Sequence, residues 1–261
     1  RKISICLLLV IMGCAACGDD DAVTSTPTTS SAAPTTAAAT TTAPAATTTT
    51  AAATTTAPAI TTTTAAPTTT AAATTTTSTL PSGPEDISFQ TADGLTLEGR
   101  SWPGGPTWVV LGHMRPSDMT SWFDFAEMVA AEGFTALVYN ARGYGNSEGD
   151  GFETGTDALA AIGFARDRGA AGIIYIGASM NGAAAVVAAA EEDLLAIAAM
   201  SAVPEFFGTQ GMARAAEVTE PSMFVAAEDD GNAVAHAEAY AGTVAGPSET
   251  VIYPTGGHGT S

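Results

Sequence analysis

From residue 85 onward the chain changes hydrophobic period repeatedly. Residues 86–91 and 95–102 alternate apolar and polar positions around Asp93-Gly94, which predicts a β-hairpin. Residues 108–112 (WVVLG), 134–140 (FTALVYN), 172–177 (GIIYIG), 194–201, 221–227 and 249–253 are nearly continuous apolar runs, the pattern of strands covered on both faces. Between them, residues 119–132 place Trp122, Phe125, Ala126 and Val129 at helical spacing and stop at Gly133. Residues 154–168, the Ala-rich 180–192 and 232–245 also read as helices, and a further short one is expected over 205–214. Strands alternating with helices predict an α/β protein with a doubly wound, mostly parallel sheet and an N-terminal antiparallel hairpin. In such sheets functional groups sit on loops at the carboxyl ends of the strands.

Before residue 85 this pattern is absent. Residues 3–17 (ISICLLLVIMGCAAC) follow Arg1 and Lys2 and form an apolar run too short to span a bilayer comfortably, in the layout of a secretory signal. Val10-Ile11-Met12-Gly13-Cys14 resembles the lipobox of a bacterial lipoprotein signal, which implies lipidation at Cys14, with Cys17 behind Ala15-Ala16 as the alternative. Residues 22–84 are almost entirely Thr, Ala, Pro and Ser, carry no charge and offer nothing to form a core. They read as a disordered stalk, which at ~3.1 Å per residue would reach on the order of 200 Å. The expected organisation is a signal region over 1–21, a linker over 22–84 and one domain over 85–261. The expected location is the outer face of a bacterial cell membrane, held by the N-terminal lipid anchor.

Charge narrows the possible partners. The formal net charge is −19, and residues 85–261 hold 24 acidic residues against 6 Arg and no Lys. A surface of that sign repels phosphate backbones, so nucleic acid is not an expected partner. Cys6, Cys14 and Cys17 all lie at the N-terminus, so the domain has no disulfide, thiol nucleophile or Cys metal site. Its three histidines, His113, His236 and His258, are scattered without ligand spacing, and neither metal nor cofactor is expected.

Three loops carry candidate chemistry. Gly177-Ala178-Ser179-Met180-Asn181-Gly182 joins a strand to a helix, where a sharp turn lifts a serine hydroxyl out of the sheet. The alternative is a plain turn with Ser179 as helix N-cap. His258, flanked by glycines after the last strand, offers a base that titrates in the useful range. His236 is expected on a helix surface, and His113 is expected to shape a loop. Glu228-Asp229-Asp230-Gly231 follows the strand at 221–227 and offers a carboxylate to hold an imidazole, Asp230 first and Asp229 as alternative. Serine, acid and histidine thus follow three separate strands in that order.

At these residues segment 85–261 resembles the α/β-hydrolases, specifically small esterase-like or dienelactone-hydrolase-like members. Gly177-Ala178-Ser179-Met180 resembles the family's nucleophile elbow, Asp230 its acid and His258 its base. Asn181 stands where the elbow usually has glycine. Residues 140–147 resemble the family's R-G-x-G-x-S loop, with Arg142 read as a structural brace. Leu111-Gly112-His113-Met114-Arg115 takes the place of the oxyanion loop, so the resemblance implies N–H donors from Met180 and from Met114 or Arg115. It also implies a closing helix after His258, so a C-terminally truncated domain is expected. The short 201–221 connection leaves no room for a cap domain, with Phe206 and Phe207 either at the site's mouth or in simple packing. The implied function is a serine hydrolase that cleaves small-molecule carboxylic esters through a Ser-His-Asp triad and an acyl-enzyme. A non-catalytic binding module on a hydrolase scaffold and a peptidase are the alternatives.

Overall fold

The computed structural model describes residues 83–260. The expected export signal, with Cys14 and Cys17, and the expected stalk up to residue 82 lie outside the described residues. The elements are β1 (Glu85–Gln90), β2 (Thr96–Trp102), β3 (Thr107–Gly112), α1 (Phe123–Ala131), β4 (Thr135–Tyr139), α2 (Thr154–Asp167), β5 (Gly172–Ala178), α3 (Met180–Glu191), β6 (Ala196–Met200), the single turn α4 (Gly211–Arg214), β7 (Ser222–Ala227), α5 (Ala233–Ala241) and β8 (Ser248–Tyr253).

The strands form one eight-stranded sheet in the order β1-β2-β4-β3-β5-β6-β7-β8. The β1–β2 hairpin pairs antiparallel and joins β4 antiparallel, and every pairing from β4 to β8 is parallel. Successive side chains face opposite layers. Val110, Leu137, Tyr175, Ile197 and Phe224 pack with α2, α3 and α5 in one core. Val109, Leu111, Val138, Ile174 and Met223 pack with α1 in the other. This two-sided cover explains why the inner strands are apolar throughout, and each fully buried Val, Leu or Ile there contributes about 1.5–3 kcal/mol.

Helix ends follow their sequence signals. At the end of α1, Gly133 adopts φ 87°, its N–H donates to Ala130 O and that of Phe134 donates to Val129 O, a Schellman closure that a Cβ would hinder. The expected helix over 119–132 begins instead as a 3₁₀ turn, Met119–Trp122, capped by the Asp118 side chain. The expected helix over 205–214 survives only as Gly211–Arg214. Residues 206–209 fold into a tight turn in which Phe206 and Thr209 exchange backbone hydrogen bonds. Phe207 and Gly208 both take positive φ there, and the Thr209 hydroxyl accepts the Gly155 N–H at the start of α2. A helix through 205–210 would forfeit that cap. The helix expected to reach 245 ends at Ala241, where the Thr243 and Val244 N–H groups turn back to Tyr240 O. No cap domain is inserted between β6 and β7.

Candidate active site

The end of β5 turns sharply into α3. Ser179 sits at that corner with φ 53° and ψ −107°, a sparsely populated conformation that costs on the order of 1–3 kcal/mol and persists only when its surroundings enforce it. The surroundings are tight. A Cβ on Gly177 would lie 1.9 Å from Asn181 O, and one on Gly182 would lie 2.9 Å from Ala202 Cα. The Ser179 N–H donates to Met200 O on the neighbouring strand (2.8 Å). Its side chain makes no helix-capping bond. The hydroxyl instead donates to His258 Nε2 at 2.7 Å.

His258 Nδ1 lies 2.8 and 3.0 Å from the two Asp230 carboxylate oxygens. A carboxylate only accepts, so the Nδ1–H tautomer is assigned and Nε2 is left as acceptor for Ser179. The Asp230 side chain is 12% exposed and that of His258 41%, so the carboxylate is sheltered while the imidazole opens to solvent. Ser179 itself is 7% exposed. Three residues that are separate in sequence therefore form one hydrogen-bonded chain at the carboxyl ends of β5, β7 and β8.

Asp229 bonds to the neighbouring backbone. Its Oδ1 accepts the N–H groups of Gly256 and Gly257, each at 3.1 Å, and so holds the backbone on which His258 is mounted. On the other side of that residue, the Gly259 N–H donates to Ser201 Oγ (2.9 Å) and the Thr260 N–H to Met114 Sδ (3.4 Å). Ser201 follows β6 directly and also has positive φ, 48°. Sequence reasoning missed its role. Its only signal was a serine at a strand's carboxyl end, which many loops share.

The loop after β3 faces the same corner. His113 is fully buried, its Nδ1–H donates to Met114 O (2.9 Å) and its Nε2 accepts the Ala141 N–H (3.1 Å). Burial lowers its pKa, which keeps the ring neutral and suits it to shaping the loop. His236 is half-buried on α5. Met180 opens α3, where backbone N–H groups lack intrahelical acceptors. Among the described residues the N–H groups of Met180, Met114 and Arg115 have no hydrogen-bond acceptor. Arg142 braces the adjoining loop. Its N–H and Nε donate to Asp157, both at 2.8 Å, and Nη1 and Nη2 donate to Asp93 at 2.9 and 3.0 Å. The guanidinium holds Asp93 down at a pKa of about 2.

A cavity of about 290 Å³ is lined by Arg115, Gly143, Tyr144, Asp150, Gly151 and Phe152. Tyr144 connects it to the elbow, with its ring edge-on to His113 and its hydroxyl on Met180 Sδ. Phe206 packs on the core, whereas Phe207 is exposed and contacts Phe152 on the cavity wall.

No family model matches the chain, and no curated protein sequence matches it. Solved structures are similar to it. The Pyrococcus furiosus esterase Pf2001 superposes with a TM-score of 0.58 at 17% identity, over 67% of this chain and 82% of that one. The acetyl xylan esterase from Paenibacillus sp. R4 gives 0.59 at 17% identity, over 67% and 78%. The enol-lactonase from Burkholderia xenovorans LB400 gives 0.53 at 16% identity, over 64% and 91%. The chain has the α/β-hydrolase fold.

Proposed function

We propose that the domain is a serine hydrolase of small-molecule carboxylic esters, with Ser179 as nucleophile, His258 as base and Asp230 as the acid that orients it. The observation that carries this reading is the Ser179–His258–Asp230 hydrogen-bonded chain, with the serine held in a strained conformation and not used as a helix cap. The esterases among the solved structures with a similar fold support the substrate class.

The chemistry follows from the atoms. His258 Nε2 takes the Ser179 hydroxyl proton as Oγ attacks the ester carbonyl carbon, and the Nδ1–H bond to Asp230 stabilises the imidazolium. The carbonyl oxygen becomes an oxyanion, held by the N–H of Met180 and by that of Met114 or Arg115. Collapse expels the alcohol, which takes the proton from His258, and leaves the acyl group on Ser179. Water then repeats the sequence, giving one proton to His258 as its oxygen attacks the acyl carbon; collapse breaks the bond to Ser179 Oγ, which takes that proton back from His258, and the acid leaves. The absence of a cap domain between β6 and β7 favours small esters over long-chain ones.

Ser179→Ala, assayed on a panel of p-nitrophenyl esters and with a fluorophosphonate probe, tests the assignment. Loss of both turnover and labelling is expected, and unchanged turnover refutes it. We also propose that the chain is exported and lipid-anchored through Cys14 or Cys17, on the basis of the residues before each cysteine. Intact-mass analysis of Cys14→Ala and Cys17→Ala should show the lipid lost from one of them.

A further inference from the structure

Asn181, which replaces the usual elbow glycine, has a fully buried side chain. The space around it is fitted to an amide. A Cβ on Gly112, the last residue of β3, would lie 2.7 Å from Asn181 Cβ and Cγ and 2.5 Å from the Tyr175 hydroxyl. Asn181 Nδ2 donates to His113 O at 2.7 Å. Its Oδ1 lies 3.0 Å from the Tyr139 hydroxyl and 3.1 Å from that of Tyr175, and the two hydroxyls are 2.6 Å apart. The amide orientation is fixed by chemistry, because His113 O can only accept and must face the NH₂ group. Tyr139 on β4 and Tyr175 on β5 then anchor the other end to the sheet.

We propose that Asn181 is a positioning residue that sets the geometry of the oxyanion hole. The inference rests on the esterase reading above. Asn181 lies one residue after Met180, on the helix whose first N–H forms one side of the hole. Its Nδ2 grips the loop that forms the other side. His113 O and the Met114 N–H belong to one trans peptide plane, so holding the carbonyl aims the N–H away from it. The next carbonyl, Met114 O, is held by the His113 ring, which fixes the plane carrying the Arg115 N–H. Whichever of the two donates, its distance from the Met180 N–H is set through Asn181. Glycine at this position would leave His113 O without its donor.

The test uses the full chain, with wild type, Asn181→Ala and the double variant Tyr139→Phe/Tyr175→Phe. Readouts are kcat and KM for p-nitrophenyl acetate, the pH profile, Tm and affinity for phenylboronic acid, whose tetrahedral serine adduct places an oxygen in the hole. Asn181→Ala should lower kcat by roughly ten- to a hundredfold, somewhat less than deletion of a donor. KM should stay within about twofold and the pH profile should keep its shape, because His258 and Asp230 are untouched. Boronic acid affinity should fall in step with kcat. The double variant keeps Asn181 but frees its Oδ1, so a smaller loss of the same kind is expected and decides the matter if Asn181→Ala does not fold. Folded variants with wild-type kcat, or a kcat loss without loss of boronate affinity, overturn the inference alone. A wild-type chain that neither turns over ester nor labels at Ser179 overturns the esterase reading and this inference with it.

Discussion

Asp230→Asn and Asp229→Asn each exchange one oxygen for an amino group, in adjacent residues of one loop. At Asp230 the exchange places an NH₂ donor against His258 Nδ1, now 2.8 and 3.0 Å from two acceptors. The ring then keeps its proton on Nε2, where it should accept one from Ser179. A wrong-tautomer histidine costs about 10⁴ in kcat, which at 1.36 kcal/mol per tenfold is about 5.4 kcal/mol of transition-state stabilisation. At Asp229 both N–H donors, from Gly256 and Gly257, converge on Oδ1. An asparagine keeps that oxygen, so Asp229→Asn should lose only the charge assistance and stay within about tenfold of wild type. Asp229→Ala removes both bonds, worth about 0.5–1.5 kcal/mol each, and should lower kcat/KM by roughly 5- to 150-fold. Steady-state kinetics on p-nitrophenyl acetate, with Tm measured alongside, checks the ranking. If Asp229→Asn is as damaging as Asp230→Asn, or Asp230→Asn stays within tenfold of wild type, the division of labour is refuted.

Ser201→Ala should reduce kcat/KM by about two- to tenfold through the lost Gly259 hydrogen bond, and unchanged kinetics would count against a role in holding the histidine loop. Arg142→Met leaves the fully buried Asp157 carboxylate without its cation and should destabilise the domain by about 3–5 kcal/mol in denaturant titration. The double variant Arg142→Met/Asp157→Leu should recover most of that, and a single variant costing under about 1 kcal/mol contradicts the brace. Asp93 titrates near 2 in the folded state, below its ordinary 3.8, so its contribution to stability is present above about pH 4 and is lost as pH falls towards 2. Asp93→Asn should therefore lower Tm at pH 7 and flatten its fall between pH 4 and 2; parallel Tm profiles would disprove the linkage.

Much of this architecture was legible in the sequence because each inner strand is buried on both faces and so carries an unbroken apolar run. Helix ends were legible where a glycine closes them, as at Gly133. The turn at 206–209 was not, because its cause is Thr209 reaching the start of α2 more than fifty residues earlier. The chain order of Ser179, Asp230 and His258 could be read from the strands they follow, and Asp230 lies within hydrogen-bond distance of the imidazole. The job of Asp229 could not, since two neighbouring carboxylates are chemically identical until the loop they face is known. From the sequence, Asn181 only stands where the elbow usually has glycine. Its contacts come from β3, β4 and β5, brought together only by the parallel order of the sheet.

Backbone strain adds a further link between fold and site. Ser179 and Ser201 end adjacent parallel strands, both have positive φ, and each donates its N–H to a carbonyl of the next strand, Met200 O and Val225 O, at 2.8 Å. Each residue thus takes one last sheet bond and then leaves the sheet abruptly. Two such conformations cost on the order of 2–6 kcal/mol together, a large share of the roughly 5–15 kcal/mol by which a domain is stable. Close packing can hold them, and Gly182 lies against Ala202, the residue after Ser201, where a Cβ would not fit. The two hydroxyls so raised meet consecutive residues of one loop, Ser179 at the His258 ring and Ser201 at the Gly259 N–H. Relaxing either corner would withdraw a hydroxyl from that loop, so the strain falls where it fixes the distance between Ser179 and His258.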